Sequence, residues 1–175
     1  MSRRRANVTA DRNTCGSDNP ADIIARAHSL INSIPYRDDG GRGGIHPVSL
    51  ITVDSEGFPS SRVLVPREIS SDLSYILLNT RSDTRKVDEV RRNSKVSLMW
   101  NDQRARGGWL VLKGIATMQR DQTDSSRTNI LVSITALDVM TYNENLMADS
   151  EGYIPIVMRR EEHGWECATA RSKEL

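Results

Sequence analysis

The chain has 175 residues, a length that fits one domain of ordinary size. Its 24 Lys and Arg residues nearly balance 23 Asp and Glu residues, which leaves a formal net charge of +1. That balance argues against a protein that works by neutralising nucleic-acid phosphates or by coating an anionic membrane. No apolar run approaches the ~18 residues that a membrane-spanning helix needs.

The first 18 residues are polar and basic, and we expect a disordered tail there because they contain no apolar stretch. Cys15 lies in this tail and Cys167 lies near the other end of the chain. One distant pair of cysteines predicts no disulfide framework, so the default expectation is a reducing, cytoplasmic location. His163 and Cys167 are four residues apart in a predicted strand, which does not favour a zinc site. The sequence thus divides into a tail over 1–18, a domain over 19–170 and a polar tail over 171–175.

The first helix is predicted over residues 20–34. Asn19 can cap it and Pro20 suits its first position. Its apolar face has spacings of three and four and consists of Ile23, Ile24, Ala27, Leu30, Ile31 and Ile34. A Gly-rich stretch at 40–44 follows; it lacks the Gly-Lys-Ser/Thr ending of a phosphate loop and predicts a mobile loop.

From Pro47 onward, short β-branched runs alternate with turn residues, a pattern typical of an antiparallel barrel or sandwich. Strands are predicted at 48–53, 62–65, 73–79, 95–101, 109–118, 154–159 and 165–169. One helix is predicted from Ser82 or Asp83 to Arg92, with Val87 and Val90 facing inward. A second is predicted over 121–137, with an apolar stripe of Ile130, Leu131, Ile134 and Leu137.

Arg85 and Lys86 fall in the first turn of the helix predicted near Ser82. A helix N-terminus carries partial positive charge, so acidic residues are expected there rather than two cations. A bound phosphate would explain them, together with the exposed N–H groups and the hydroxyls of Thr80 and Thr84. The alternative is that both cations point into water and pair with acidic residues one turn along the helix, at Asp88 or Glu89.

Arg62 precedes an apolar run of three residues, Val63 to Val65. It can be a third cation directed at the same anion from a neighbouring strand, or one outward residue on a strand with a solvated face. The sequence has no Gly-x-Ser-x-Gly motif and no cysteine beside a histidine in a reactive setting. An enzyme with this sequence would rely on a cofactor for its chemistry.

Three segments in this order, LITVDSEGFPSSRVLV, YILLNTRSDTRKVDEVRRNSKVSLMW and GGWLVLKGIATM, carry a family resemblance. The chain resembles the pyridoxamine 5'-phosphate oxidase-like FMN-binding split β-barrel family, and within it the short general-stress-protein-type members. The resemblance covers residues 21–118 well. It implies a mainly β fold with flanking helices, a six- or seven-stranded antiparallel split β-barrel of Greek-key type.

In this family a strand Arg lies by the FMN phosphate and the residues after it line the flavin ring. A Thr and a Ser/Thr-Arg-Lys element complete the phosphate site, and the spacing of that element is kept here. The cofactor-binding residues that the resemblance implies are Arg62, Val63, Leu64, Val65, Asn79, Thr80, Thr84, Arg85, Lys86 and Trp109.

Two departures from the true oxidases count against pyridoxamine 5'-phosphate oxidation. The true oxidases have a flavin-contacting Gln before the strand that ends at Gly114, and Trp109 stands at that place here. They also have a C-terminal Arg after a Trp, and no residue beyond Trp165 can be matched to that Arg.

The resemblance therefore implies an FMN-binding flavoprotein, an oxidoreductase acting on an unidentified small molecule. It further implies a homodimer with two flavin sites across the subunit interface. The alternatives are a non-catalytic protein that stores or senses FMN, a protein that holds a deazaflavin or haem in the same cleft, and an interaction module whose cations are solvated. No residue stands out as an acid or base, so no catalytic residue is predicted.

Overall fold

The computed structural model describes Arg12, Asn13, Cys15 and residues 18–33, 46–102, 107–149 and 153–170. Ile34, the Gly-rich stretch at 40–44 and the C-terminal tail at 171–175 lie outside the described residues. The elements in chain order are β1 (Arg12–Asn13), α1 (Pro20–Ser33), β2 (Val48–Val53), β3 (Pro59–Leu64), β4 (Pro66–Ile69), β5 (Tyr75–Arg81), α2 (Arg85–Arg92), β6 (Lys95–Asp102), β7 (Gly108–Arg120), β8 (Arg127–Thr141), β9 (Ile156–Glu161), β10 (Gly164–Cys167) and β11 (Thr169–Ala170).

Nine of these strands form one antiparallel sheet, in which β10, β9, β8, β7, β6, β2 and β3 follow one another. β5 pairs with the first half of β8, and β4 pairs with β5. All seven predicted strands are present, and β4 and β8 account for the two additional ones. β4 begins at Pro66, where the second predicted strand was expected to end; proline is tolerated at the first residue of a strand because no ladder hydrogen bond is needed there.

Helix α1 forms as the sequence predicts. The side-chain oxygen of Asn19 accepts a hydrogen bond of 3.0 Å from the backbone N–H of Ala21, which caps the helix. The predicted apolar face is buried at Ile23, Ile24, Ala27, Leu30 and Ile31. Neither helix in the described part of the chain is long and apolar enough to cross a bilayer.

The helix predicted over 121–137 is wrong, because residues 127–141 form the strand β8. Its apolar residues alternate at Ile130, Val132 and Ile134, and all three are buried. A β-bulge opposite Lys113 and Gly114 then adds one residue to β8 and shifts the alternation. Ala136 and Leu137 are therefore both buried, and the buried positions continue at Val139 and Thr141. The alternation interrupted by the bulge produces spacings of four and three, which imitate one face of a helix.

The expectation that the two cysteines stay unpaired is also wrong. Cys15 and Cys167 form a disulfide that joins positions 152 residues apart. Beside it, the two-residue strands β1 and β11 pair with each other, and we call this disulfide with its two strands the clasp. At Arg12, Asn13 and Cys15, the segment predicted as a disordered tail therefore takes part in the fold. The pairing removes the support that unpaired cysteines gave to a reducing, cytoplasmic location.

Candidate functional site

Arg62 lies at the end of a row of core residues that crosses the sheet. Its partners across β2, β6, β7, β8 and β9 are, in register, Leu50, Leu98, Leu112, Leu137 and Met158. All five are fully buried, and cross-strand partners share one face of a sheet. The Arg62 side chain, 18% exposed, thus projects from the core side of the edge strand β3. A cation in this position needs partners because burial without them is costly.

A buried carboxylate and two hydroxyls supply those partners. The Nη2 group of Arg62 donates to Glu89 Oε2 at 2.7 Å and to Ser60 Oγ at 2.7 Å. Its Nη1 group donates to Thr52 Oγ1. Thr52 in turn donates to Glu89 Oε2 at 2.5 Å, so that Arg62, Thr52 and Glu89 form a closed triangle of hydrogen bonds.

Glu89 comes from the inward face of α2, between the buried Val87 and Val90. Burial acts to raise the pKa of this carboxyl, but the hydrogen bonds from Thr52 and Arg62 outweigh it, and the pKa lies below its ordinary value. Glu89 is therefore ionised at neutral pH and balances the charge of Arg62.

Lys86 lies one turn before Glu89 on the same helix and is half-buried. Its Nζ donates to Thr80 Oγ1 at 3.0 Å. Burial lowers the pKa of Lys86, and the positive charge of Arg62 lowers it further. In the described part of the chain no carboxylate lies within 4.0 Å of its Nζ. Lys86 is thus a partly desolvated cation near a second cation.

Thr84 and Arg85 complete this end of α2. Thr84 is the N-cap residue; its hydroxyl donates to the carbonyl of Arg81 at 2.9 Å rather than capping the helix N–H groups. Arg85 is exposed in the first turn. The alternative in which acidic residues of the helix pair with Arg85 and Lys86 is not observed. Asp88 pairs with Arg91, and Glu89 pairs with Arg62.

The structure thus brings together five predicted residues around the start of α2, and we call Arg62, Thr80, Thr84, Arg85 and Lys86 the cradle. Of its three cations, Arg62 pairs with the buried carboxylate of Glu89, and Arg85 and Lys86 come from the first turn of the same helix as Glu89. Such an arrangement can bind an anion by charge and by directed N–H donors.

The side chain of Asn79 is engaged elsewhere. Its Nδ2 donates to Asp121 and Asn129, both at 2.7 Å, and its Oδ1 accepts from Nε of Arg127. Successive residues of a strand point to opposite faces, so Asn79 and its neighbour Thr80 face different sides of β5. The structure does not bring the Asn79 side chain into the cradle.

The residues predicted to line a flavin ring divide between the two faces of the sheet. Leu64 packs against the core on the same face as Arg62. Val63 is on the outer face of β3 and is 68% exposed, and Val65, which follows the end of β3, is 50% exposed. Trp109 is half-buried in β7, where its cross-strand partners are Asn101 and Met140.

Three residues of the site were missed by sequence reasoning: Glu89, Thr52 and Ser60. Thr52 and Ser60 are cross-strand partners in the β2–β3 hairpin, and both contact Arg62. Glu89 has the sequence signal of an acidic residue between two valines that face inward. The helical spacing alone instead assigns Glu89 as an ion-pair partner of Arg85 or Lys86.

The sequence model of the pyridoxamine 5'-phosphate oxidase family matches residues 44–133, just over half of the chain. A curated pyridoxine/pyridoxamine 5'-phosphate oxidase of Flavobacterium johnsoniae is 29% identical over 79 residues. The match covers 45% of this chain and 36% of that relative, so the chain spans about a third of the relative's length. The matched family segment contains β2 to β7, the cradle and Glu89.

Solved structures share the fold. A pyridoxamine 5'-phosphate oxidase-related, FMN-binding protein from Nostoc punctiforme is similar with a TM-score of 0.57 at 12% identity, over 86% of this chain and 94% of that one. A Clostridium acetobutylicum protein related to general stress protein 26 of B. subtilis has a TM-score of 0.53 at 16% identity, over 65% and 84% of the two chains. At these identities the likeness concerns the fold alone, and it confirms the predicted antiparallel split barrel.

Proposed function

The chain belongs to the pyridoxamine 5'-phosphate oxidase family, and from this and from the cradle we propose that it binds FMN as a flavoprotein. In this proposal the cradle holds the phosphate of FMN. Flavin supplies hydride-transfer chemistry when it is bound, and the chain supplies binding and orientation.

The observation that carries the proposal is the state of Lys86. Its ammonium group is half-buried, lies near Arg62 and has no ion-pair partner among the described residues. A partly desolvated cation without an ion-pair partner lowers stability unless an anion compensates it. A phosphate monoester carries about −1.5 to −2 charges at neutral pH and offers three acceptor oxygens. The donor set therefore fits this group.

Apolar surface on the outer face suits the flavin ring. Val63 is exposed there, Val65 is exposed just after the end of β3, and Trp109 lies two residues along β7 from Val111 on the same face. We propose that Leu64 contributes through its backbone, because its side chain packs into the core.

The same face supports a homodimer. Val63, Met99, Val111 and Val157 lie in one row across the sheet, joined through Ser49 and Asp138. Four of the six positions in this row are apolar, and apolar residues that are adjacent on an outer sheet face suit a surface that a second chain covers. We propose that two copies meet on this face and that each flavin site lies at their interface.

The proposed activity is that of an FMN-dependent oxidoreductase with an unidentified small-molecule substrate. We expect little peroxide from pyridoxamine 5'-phosphate, because no residue beyond Trp165 can be matched to the C-terminal Arg of the true oxidases, a phosphate partner of that substrate. Storage or sensing of FMN without turnover uses the same site, and reoxidation kinetics of the reduced flavin distinguish the two roles.

The decisive experiment is an absorbance spectrum of the purified protein, with mass spectrometry of the released ligand and an FMN titration. Flavin bands and an FMN mass support the proposal. A sharp Soret band or a deazaflavin mass assigns the cleft to another cofactor. A colourless protein that does not bind added FMN would contradict the proposal.

A further inference from the structure

Glu89 is an unusual residue for the position that it occupies. It lies on the buried side of α2 with its side chain 3% exposed, where the neighbouring inward positions are Val87 and Val90. A charged carboxylate in such a place is costly, and a well-packed apolar side chain is often at least as stabilising as a buried ion pair. Stability alone is therefore a weak reason for a glutamate here.

The hydrogen bonds around Glu89 fix one guanidinium. Its Oε2 accepts from Arg62 at 2.7 Å and from Thr52 at 2.5 Å, while Thr52 accepts from the other terminal nitrogen of Arg62. Ser60 holds Nη2 from a second direction at 2.7 Å. Two separate elements, the β2–β3 hairpin and α2, thus determine where the guanidinium lies and how its plane is oriented.

These contacts leave part of Arg62 available. A guanidinium has five N–H donors, and the contacts to Thr52, Ser60 and Glu89 use three of them. The Nε–H group and one Nη1 hydrogen have no acceptor among the described residues. Arg62 can therefore remain bound to Glu89 and donate to a ligand at the same time.

We propose that Glu89 is a positioning residue of the cradle, which acts through Arg62 by holding its guanidinium in the orientation that a phosphate ligand requires. The inference rests on the proposed FMN function and adds to it a residue outside the predicted set. Because Arg62 is already ordered, binding costs less side-chain entropy than it would with a free arginine. Lys86 has no carboxylate partner within the described ranges and supplies net positive charge to the ligand, whereas Arg62 supplies N–H donors of fixed direction.

A competing role makes the opposite prediction. If Glu89 merely occupies Arg62 and repels an incoming anion, its removal strengthens phosphate binding. If Glu89 serves only to attach α2 to the sheet, its removal weakens every ligand of the site and does so with or without Arg62.

The test is a double-mutant cycle of Glu89→Gln and Arg62→Gln, with FMN and riboflavin affinities measured by flavin fluorescence. Glu89→Gln keeps the size of the side chain and removes its charge. We expect it to weaken FMN about three- to tenfold, from the cost of ordering one long side chain, and to leave riboflavin unchanged. In the Arg62→Gln background the same change should have no effect on FMN.

Asp88→Asn is the matched control. It removes one negative charge from the adjacent position of the same helix, but Asp88 is exposed and pairs with Arg91. Its FMN affinity should stay within about twofold of wild type because exposed pairs interact weakly. If Glu89→Gln does not fold, Thr52→Val opens the same triangle from β2. It should weaken FMN in the same direction by a smaller factor.

Tighter or unchanged FMN binding in Glu89→Gln would overturn the inference, as would an equal loss for riboflavin or a loss that persists without Arg62. In each of these cases wild type still binds FMN, so the proposed function stands. Failure of wild type to bind FMN overturns both.

Discussion

The cradle and the clasp are built from opposite kinds of sequence information. The cradle residues and Glu89 lie within 28 positions, and most of them are charged or hydroxylated residues on one strand and the helix after it. The clasp joins Cys15 to Cys167 across a separation of 152 residues, and nothing local in the sequence marks the two as partners. This contrast indicates that a candidate binding site can be recognised from a local charge pattern, whereas a long-range covalent link depends on the completed fold. It also predicts that the two regions fail separately: the clasp in stability and the cradle in affinity.

The largest effect is expected from opening the clasp. In the chain-entropy model, a disulfide that closes a loop of this length stabilises the folded state by about 5 kcal/mol. Cys15→Ala should lower the free energy of unfolding by about that amount, measured by urea denaturation. FMN affinity should stay within about twofold of wild type, because no cradle residue contacts the clasp among the described residues.

Reductant provides the control for this prediction. Wild type in reductant should unfold like Cys15→Ala, and the variant itself should not respond. Equal stability of wild type with and without reductant would mean that the disulfide does not form in the purified protein. A large loss of FMN affinity in Cys15→Ala would contradict the separation of the two regions.

The second-largest effect is expected from changes at Lys86, which should lower the affinity of the protein for FMN. Charge-assisted hydrogen bonds to a phosphate contribute roughly 1.5–3 kcal/mol each, so Lys86→Ala should weaken FMN about tenfold to a hundredfold. Lys86→Glu should weaken it further because it adds repulsion. Riboflavin, which has the same ring without the phosphate, should bind both variants as it binds wild type. Flavin fluorescence titrations measure all three proteins.

Arg92→Glu is the matched control for Lys86→Glu. It makes the same charge change on the same helix, at the exposed C-terminal end of α2 rather than in the cradle. FMN affinity that is unchanged in Lys86→Glu, or weakened equally by Arg92→Glu, would remove Lys86 from the phosphate site. Without ligand, Lys86→Ala should be at least as stable to unfolding as wild type, because the change removes a partly buried cation that has no ion-pair partner among the described residues.

How far the sequence predicts each region follows from the range of the interactions involved. Capping, periodicity and first-turn charges are local, and they placed α1, α2 and seven strands correctly. The bulge in β8 depends on its pairing with Lys113 and Gly114, so the alternation of Ile130 to Leu137 could be interpreted only with the sheet in place. Within the site, the cations were identifiable, but the pairing of Arg62 with Glu89 required the packing of α2 against β2.

A smaller effect tests the proposed assembly of the flavin site. Light scattering of wild type at micromolar concentration should show a dimer. Val63 is 68% exposed on the outer face of β3, and Val63→Glu would place a charge in the proposed apolar interface. We expect it to weaken dimer formation about tenfold or about 1.4 kcal/mol, and FMN binding with it.

Phe58→Glu is the comparison variant for this surface. Phe58 is 64% exposed, like Val63, but lies in the turn between β2 and β3. It should leave the dimer and FMN affinity unchanged. A wild-type protein that is monomeric at these concentrations would contradict the shared-site arrangement.

The smallest expected effect is that of Asp121, which tests whether the phosphate site includes its hydrogen-bond partner Asn79. Asp121 accepts hydrogen bonds from the hydroxyl and backbone N–H of Thr123 and from Asn79, and these lower its pKa from 3.8 to about 2. A carboxyl whose pKa is lower in the folded state stabilises the protein above its ordinary pKa, and this contribution is lost as the pH falls from about 4 to about 2. Asp121→Asn should therefore flatten the fall of melting temperature with acidification in this range. Thr123→Val, which removes only the hydroxyl, should flatten it in part.

FMN affinity at neutral pH should be unaffected by either change if the Asn79 side chain stabilises the sheet and does not contact the cofactor. A clear loss of FMN affinity in Asp121→Asn, with riboflavin unchanged, would extend the phosphate site to Asn79.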